Sequence, residues 1–321
     1  MKNVLVVSYS QSGQLDDIVA ALSRPLAEAG INLHREALRP APDFPFPWPF
    51  FAFLDAFPES VRLDPRPNQP LSPSLQSLPV DANFDLVILA WSVWYLSPAQ
   101  PMTAFLQSAE GKRLLGGRPV VSVVACRNMW LSAFDTIKTL VAEAGGRLTD
   151  HVAFTDESHA LATFITTPRW MFTGRRDSFL GLPPAGVDAR QTAGAARFGV
   201  ALAEALSRDG EKPGQPMLSG LRAVKVAPHL VLSERAGRRA FQVWSGLIRA
   251  CGRAGQWRRI PALALFLIYL VLLIVTIVPL NLILQRLTAP LLARRVAALV
   301  SHYEQPSGAG SARMTVPPDC S

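Results

Sequence analysis

The sequence predicts an α/β fold with a doubly wound, five-stranded parallel sheet in the order 2-1-3-4-5, followed by one membrane-spanning helix. Short apolar runs rich in β-branched residues alternate with helical patterns, which is typical of right-handed βαβ units. A loop of small polar residues follows the first run, and a long uncharged stretch lies near the C-terminus. The 321 residues, 49% of them hydrophobic, are enough for one sizeable core and an additional segment.

Five apolar runs predict the strands of this sheet. In chain order they are KNVLVVSYS, INLHREAL, FDLVILAW, RPVVSVVAC and RLTDHVAF. Helical periodicity predicts helices over residues 15–29, 101–115 and 131–144, with a closing helix over 190–208. The predicted α/β domain therefore extends over residues 1–208.

A proline-rich and aromatic insertion at residues 40–83 interrupts the alternation. Its prolines predict that it forms neither a regular helix nor a central strand. Three interpretations of its rings stay open: they pack on the domain, they form a lid over an apolar substrate, or they dip into lipid. The rings belong to Phe44, Phe46, Trp48, Phe50, Phe51, Phe53 and Phe57.

The C-terminal third has the features of a membrane anchor. The stretch IPALALFLIYLVLLIVTIVPLNLIL carries no charge and is long enough to cross a bilayer. A buried core helix is the alternative, and Pro279 and Asn281 also leave a re-entrant helix open. We expect a linker at residues 209–229, a basic amphipathic juxtamembrane segment at 230–259, the transmembrane helix at 260–284 and a C-terminal tail at 285–321.

The net charge of +8 is biased toward the segment before the apolar stretch. This bias favours an anionic membrane surface over nucleic acid as the partner. No signal-peptide pattern precedes the first strand, so we expect the domain on the cytoplasmic side of a bacterial-type inner membrane and the tail across it. The arginines before the stretch are Arg235, Arg238, Arg239, Arg249, Arg253, Arg258 and Arg259.

The first loop, YSQSGQ, follows strand one at the place where open α/β sheets bind ligands. Ser10 and Ser12 offer hydroxyl groups, and Gly13 lets the backbone approach an anion at the start of the next helix. The loop contains no lysine, which argues against a nucleoside triphosphate with Mg²⁺. It predicts a monophosphate site, with an ordinary capping turn as the alternative.

Two further loops fall at the same edge of the predicted sheet. Ser92, Val93, Trp94 and Tyr95 follow strand three, and the indole and phenol rings can stack on a flat cofactor. The loop after strand four, CRNMW, supplies polar groups from Cys126, Arg127 and Asn128. Together the three loops suit flavin mononucleotide (FMN), although aromatic packing between loops is the alternative. The scattered cysteines and histidines predict neither a disulfide framework nor a metal site.

The motifs SYSQSGQ, WSVWYLSP and PMTAFL resemble the flavodoxin and NAD(P)H:quinone oxidoreductase superfamily. The resemblance implies a flavodoxin-like fold, FMN as cofactor and NAD(P)H as a second candidate. It also implies that the Ser10–Gly13 loop binds the FMN phosphate and that Ser92–Tyr95 flank the isoalloxazine. Leu15 stands where that family has a threonine. The cofactor-binding candidates are Ser10, Gln11, Ser12, Gly13, Gln14, Ser92, Val93, Trp94, Tyr95, Cys126, Arg127 and Asn128.

A narrower resemblance covers about residues 1–181. YSQSGQLDDIV, FPFPW, FPES, CRNMW and TFITTPRWMFTGRR are similar to the dialkylresorcinol condensing enzymes, which implies work beside a ketosynthase in aryl-lipid biosynthesis. Condensation itself needs an activated cysteine with paired histidines, and no histidine neighbours Cys126 in sequence. Oxidation of a cyclic dione to a resorcinol suits a flavin better, since the flavin takes a hydride while a base takes a proton.

Four residues are candidates for that chemistry. His159 or Asp156 would move the proton, and Arg169 or Arg127 would hold an enolate oxygen. The alternative for Arg169 is a solvated or membrane-facing basic patch. TTPRW is equally consistent with a turn, since Pro168 disfavours a helical Thr167.

These observations favour a membrane-anchored FMN oxidoreductase acting on a small hydrophobic substrate. A quinone reductase or electron-transfer flavodoxin is one alternative, and a flavin-free membrane scaffold that recruits a ketosynthase is another. The expected partners are membrane lipid, the substrate and a ketosynthase. Homo-oligomers occur among flavoproteins of this fold, and nothing in the sequence decides the oligomeric state.

Overall fold

The computed structural model describes residues 1–79, 83–277 and 292–314. Its five parallel strands lie in the order β2-β1-β3-β5-β6, which confirms the predicted order 2-1-3-4-5. A two-residue strand, β4, was not predicted. It pairs antiparallel with the end of β3 because Tyr95 and Leu96 both adopt positive φ and reverse the chain. The strands are β1 (Asn3–Ser8), β2 (Asn32–Ala37), β3 (Leu86–Trp94), β4 (Ser97–Pro98), β5 (Pro119–Cys126) and β6 (Arg147–Thr155).

Helices cover the sheet at the positions that the periodicity predicts. The predicted helix over 101–115 is divided at Ser108, whose hydroxyl caps the second half by accepting from the Gly111 N–H at 2.9 Å. The helices are α1 (Gln14–Glu28), α2 (Phe50–Arg62), α3 (Pro73–Gln76), α4 (Gln100–Gln107), α5 (Ala109–Leu115), α6 (Leu131–Glu143), α7 (Ala160–Thr173), α8 (Ala189–Gly194), α9 (Ala196–Ser207), α10 (Pro228–Ala250) and α11 (Ile260–Leu272). Residues 292–304 are also helical.

The core lies on both faces of the sheet. Strands β1, β3 and β5 are almost wholly buried, which explains their continuous apolar sequences. Three polar groups form a chain inside this core: Trp91 donates its indole N–H to Ser122 Oγ at 2.8 Å, and Ser122 Oγ lies 3.1 Å from His151 Nδ1. The His151 ring also stacks on Phe134.

The prediction that the insertion contains no regular helix is wrong. Helix α2 runs for 13 residues and includes Pro58. The other prolines of the insertion lie before residue 50 or after 64, so only one hydrogen bond is lost inside the helix. Burial of Leu54, Phe57 and Val61 on one face compensates for that loss. Helix α7 likewise continues through Pro168, so the TTPRW segment is helical rather than a turn.

Residues 209–229, expected as a linker, are packed against the edge strand β6. The backbone N–H groups of Met217 and Leu218 donate to the Asp150 carboxylate at 3.0 and 2.9 Å. The Ala153 N–H donates to the Ala223 carbonyl at 2.9 Å. The proline and glycine content of the segment prevents a helix there, while its apolar residues bury themselves beside the sheet.

The C-terminal residues return to the same domain. Tyr303 donates its hydroxyl to Asp135 on α6 at 2.7 Å. The buried Ser307 hydroxyl accepts from the His151 N–H at 2.9 Å and donates to Asp150 at 2.8 Å. This placement contradicts the expectation that the tail lies across the membrane from the domain. A bias in positive charge predicts the orientation of a helix that crosses the membrane, but it does not predict whether the residues after that helix pack back on the domain.

Helices α10 and α11 form an antiparallel pair on the surface of α2. Within the described ranges, one helical segment is long and apolar enough to cross a membrane: Trp257–Thr276, 20 residues with a mean hydropathy of 2.4. Leu263 and Phe266 of α11 are buried against α2 and α10. Residues 278–284 of the expected span, including Pro279 and Asn281, lie outside the described residues.

Candidate functional site

The first loop joins β1 to α1 at the carboxyl edge of the sheet. Gly13 precedes α1 with φ 83°, and a Cβ at this position would meet no heavy atom within 4 Å. The Tyr9 N–H donates to the Ala90 carbonyl of β3 at 3.3 Å, which ties the loop to the centre of the sheet. The backbone at the N-terminus of α1 is therefore open on the side where an anion would approach.

Two hydroxyl groups of this loop are buried without a hydrogen-bond partner among the described residues, Tyr9 Oη and Ser10 Oγ. The exposed Asp16 carboxylate lies near Ser10 but does not meet hydrogen-bond geometry. Burial raises the pKa of Tyr9, so its phenol stays protonated and able to donate. Because an unpaired buried hydroxyl is unfavourable, each of these groups is expected to bind either water or a ligand.

The two glutamines of the loop bind the protein itself. Gln14 makes a reciprocal pair with the backbone of Val187: its Nε2 donates at 2.9 Å and its Oε1 accepts at 3.0 Å. Gln11 donates to the Pro45 carbonyl at 3.0 Å and so connects the loop to the insertion. Gln11 and Gln14, both predicted to bind the cofactor, thus use their side chains to bind the backbone of Pro45 and Val187.

The second loop, at the end of β3, is covered by the insertion. Trp94 contacts Phe44 and Trp48 edge-on, with ring centroids 4.8 and 5.1 Å apart. The Tyr95 hydroxyl donates to the Phe53 carbonyl, and burial raises the pKa of Tyr95 well above its usual range. Phe44, Trp48 and Phe57 therefore pack on the domain, as the first of the three interpretations expects, whereas Phe50 and Phe51 are exposed.

That packing places the insertion over the carboxyl edge of the sheet. The Trp48 N–H donates to the Met171 carbonyl of α7 at 2.8 Å, and Gln11 holds the other end of the segment. Ser92, Val93 and Trp94 belong to the end of β3 rather than following the strand as predicted, and Ser92 is in register with Ala125 of β5. Phe44, Trp48 and Trp94 thus form an aromatic layer over this edge of the sheet.

The third loop begins at Cys126 and lies next to the second. The Cys126 thiol is protonated at neutral pH, because burial and the nearby Glu234 raise its pKa. The Arg127 Nε donates to Thr163 Oγ1 at 2.7 Å, and its guanidinium lies 4.0 Å from the centre of the Phe164 ring. Burial lowers the pKa of Arg127 to about 10, so it remains a cation. Asn128 is half-buried beside it.

The four catalytic candidates are brought together only in part. The buried Asp156 accepts from Ser158 N–H and Gly186 N–H, both at 2.9 Å, so it organises the loop after β6. The Asp156 N–H donates to the Arg127 carbonyl at 2.9 Å, so these two candidates are neighbours.

His159 is exposed one helical turn before Thr163, the residue that holds Arg127. Arg169 lies apart from this group. It pairs with Asp177 at 3.0 Å and stacks over Phe179, so its charge is already engaged. Arg127, Asp156 and His159 therefore form one neighbourhood and Arg169 another.

Glu234 lies near Cys126 of the third loop, and the sequence analysis did not identify it. It lies on α10, is 1% exposed, and accepts from the Ser132 N–H at 2.6 Å at the N-terminus of α6. Burial raises its pKa to about 7, partly offset by backbone N–H groups of Leu131 and Ser132. Only the packing of α10 on α6, about one hundred residues apart in sequence, reveals this contact. Tyr9 was also missed, although it belongs to the quoted loop motif.

The order of the parallel strands and the loop between β1 and α1 at their carboxyl edge are those of a flavodoxin-like α/β fold. No protein-family profile matches the sequence, and no curated protein matches it.

Three solved structures to which the chain is similar are flavodoxin-like. A flavodoxin from the domain Archaea is 10% identical with a TM-score of 0.36, over 64% of this chain and 99% of that one. A flavoprotein in complex with FMN from Lactobacillus acidophilus is 17% identical with a TM-score of 0.36, over 48% and 93%. Oxidised flavodoxin 1 from Bacillus cereus is 13% identical with a TM-score of 0.29, over 49% and 87%.

Proposed function

We propose that the protein binds FMN at the carboxyl edge of its sheet and acts as a flavin-dependent oxidoreductase. The observation that carries this proposal is the pair of unpartnered hydroxyls, Tyr9 Oη and Ser10 Oγ, beside the open backbone at Gly13. Ser10, Ser12 and the N–H groups at the start of α1 would hold the phosphate. The loops at Ser92–Tyr95 and Cys126–Asn128 would line the ring.

When bound, FMN supplies a hydride acceptor and donor. The residues around the third loop supply charge and proton transfer. Arg127 is a half-buried cation held by Thr163, so it can stabilise an enolate oxygen. His159 is exposed nearby and is the candidate for the proton, whereas Asp156 holds the loop. Arg169 is assigned to its pair with Asp177.

The substrate class follows from the aromatic layer and the resemblance to dialkylresorcinol condensing enzymes. Phe44, Trp48 and Trp94 present apolar surface next to the proposed ring site. We infer that the substrate is a small hydrophobic cyclic dione, oxidised to the aromatic resorcinol in aryl-lipid biosynthesis beside a ketosynthase. The exposed apolar residues of α11 support work at the cytoplasmic face of a membrane, where such a substrate would dissolve.

FMN titration of the full chain in mild detergent tests the cofactor. We expect apoprotein to quench flavin fluorescence, and Gly13→Val to weaken binding by about tenfold or more, because a side chain would enter the phosphate approach. Gly117→Val is the matched control. Gly117 also has positive φ (72°) and open space around its Cβ, but it lies in the turn after α5. If wild type fails to bind FMN, the flavin-free scaffold replaces this proposal.

Anaerobic reduction identifies the hydride donor. We expect a cyclic 1,3-dione to bleach the bound flavin and to yield a resorcinol, with Arg127→Gln slowing this step when FMN is saturating. Bleaching by NADPH alone, with no effect of the dione, would instead favour the quinone reductase or electron-transfer alternative. His159→Gln tests the proton transfer through its pH–rate profile.

A further inference from the structure

The apolar stretch is held by the same domain at both of its ends. Before it, the buried Arg259 pairs with Asp55 and Glu59 of α2, each at 3.1 Å. After it, Tyr303 binds Asp135 and the buried Ser307 binds Asp150. The chain therefore leaves the domain surface and returns to it.

Helix α11 runs along the domain rather than away from it. Its Phe266 stacks on Phe57 of α2 at 4.1 Å, and its Tyr269 lies 5.1 Å from Trp244 of α10. Helix α10 is itself fixed to the domain, since Glu234 binds α6 and Ser245 accepts from Arg62 of α2 at 2.8 Å. One side of α11 is thus covered up to Leu270, whereas most residues from Val271 to Thr276 are exposed.

The other side of α11 is an exposed apolar face. Leu265, Ile268, Leu272 and Val275 are each more than half exposed, and their spacing places them on one side of the helix. Val243 and Leu247 of α10 add exposed apolar surface beside it.

We propose that this face lies in one leaflet of an anionic membrane and that the chain does not cross the bilayer. The helical segment from residue 260 to 277 is about 27 Å long, close to the thickness of the hydrocarbon core, so its length is compatible with crossing as well. The choice depends on what surrounds the helix. A crossing α11 would carry the adjoining surfaces of α2 and α10, with charged groups such as Arg62 beside Ser245 and Gln242, into the hydrocarbon. Lying in the plane of the interface, α11 buries only its exposed face and leaves those charges in water.

The rim of the face indicates lipid rather than a second copy of the chain. Trp257 is 74% exposed at the start of the segment, with exposed Arg253 and Arg258 beside it. Tryptophan and arginine next to an apolar face are typical of the headgroup region of anionic lipids.

Cysteine labelling tests the topology without reference to flavin, so it is independent of the proposed function. Two variants of the full chain are made in a Cys320→Ser background. One retains the exposed Cys251 before α11, and the other carries Cys251→Ser with Ser311→Cys after it. We expect an impermeant maleimide to label both in inside-out vesicles and neither in spheroplasts. Labelling of the Ser311→Cys variant only in spheroplasts would overturn the proposal.

Flotation with liposomes tests the face itself. Wild type is expected to float with vesicles containing phosphatidylglycerol, and Leu265→Glu with Leu272→Glu to lose flotation while keeping its circular dichroism and its FMN binding. Val200→Glu, at an exposed valine of α9, is the matched control and should float. Retained flotation of the double variant would refute the assignment of this face. So would wild-type protein that fails to float and forms a lipid-independent dimer that the double variant breaks.

Discussion

Replacing Arg259 by methionine removes the charge that fastens the start of α11 to α2. The guanidinium is fully buried, and its Nη1 and Nη2 lie 3.1 Å from Asp55 Oδ1 and Glu59 Oε2. The two carboxylates lie one turn apart on α2 and are 18% and 14% exposed. Methionine keeps the apolar stem, so the change isolates the loss of charge.

The expected loss of unfolding free energy is about 3 kcal/mol. Removing one partner of a buried ion pair costs roughly 3–5 kcal/mol, because the remaining charge is left without compensation. The lower end applies here, since water reaches part of both carboxylates. Neutralising them as well, with Asp55→Asn and Glu59→Gln in the Arg259→Met background, should restore most of the stability, because no unpaired charge remains.

Urea unfolding of the full chain in detergent measures the loss of unfolding free energy in Arg259→Met and its recovery in the triple variant. Hydrogen exchange resolves the location: amides of α11 should lose protection through local opening, while those of β1 and β3 should lose protection only by the amount that global unfolding becomes easier. The reasoning is refuted if Arg259→Met unfolds at the wild-type midpoint. It is also refuted if the triple variant is as unstable as the single one, because the cost would then not arise from uncompensated carboxylates.

Three further predictions concern pH and packing. Glu234→Gln should remove a pH dependence of the unfolding free energy. The pKa of Glu234 is about 7 in the folded protein and 4.5 ordinarily, so the protonated carboxyl stabilises the fold below pH 4.5. That stabilisation, about 3 kcal/mol, is lost as pH rises through 7. His151→Gln should remove a slope of the opposite sign, a loss of stability as pH falls. Burial lowers the pKa of His151 to about 3, so only the unfolded chain binds the proton between about pH 6.5 and 3. The expected loss of unfolding free energy is about 2 kcal/mol by about pH 5. Urea unfolding against pH measures both. Gly199→Ala should destabilise by about 1–3 kcal/mol in thermal unfolding, because its Cβ would lie 2.0 Å from the Leu22 carbonyl oxygen where α9 crosses α1.

Controls for these three predictions use neighbouring sites. Wild-type slopes retained in Glu234→Gln or His151→Gln would mean that other groups titrate. Val200→Ala, exposed on the same helix as Gly199, should change stability by less than about 0.5 kcal/mol. Equal losses in the two α9 variants would contradict the close-contact argument.

Local patterns were enough to predict the sheet and the first loop. A strand buried on both faces must be apolar throughout, so β1, β3 and β5 are recognisable from a few residues each. The alternation with helices indicates a parallel sheet, and five strands fit the order 2-1-3-4-5. The prolines of the insertion led to the wrong prediction that it contains no helix, because local propensity does not include the stabilisation of α2 by burial of Leu54 and Phe57.

The sequence by itself determined the α/β class and the apolar character of residues 260–284, and it was compatible with the observed strand order. Only the tertiary structure decided how distant segments meet: Glu234 against α6, Trp48 over Trp94, and Ser307 beneath His151. The physical reason is the range of the interactions. Periodicity and turn chemistry act over a few residues, whereas these contacts depend on the shape and polarity of surfaces that exist only once the sheet has formed. That difference is why the apolar stretch was recognisable, while its return to the same side of the protein was not.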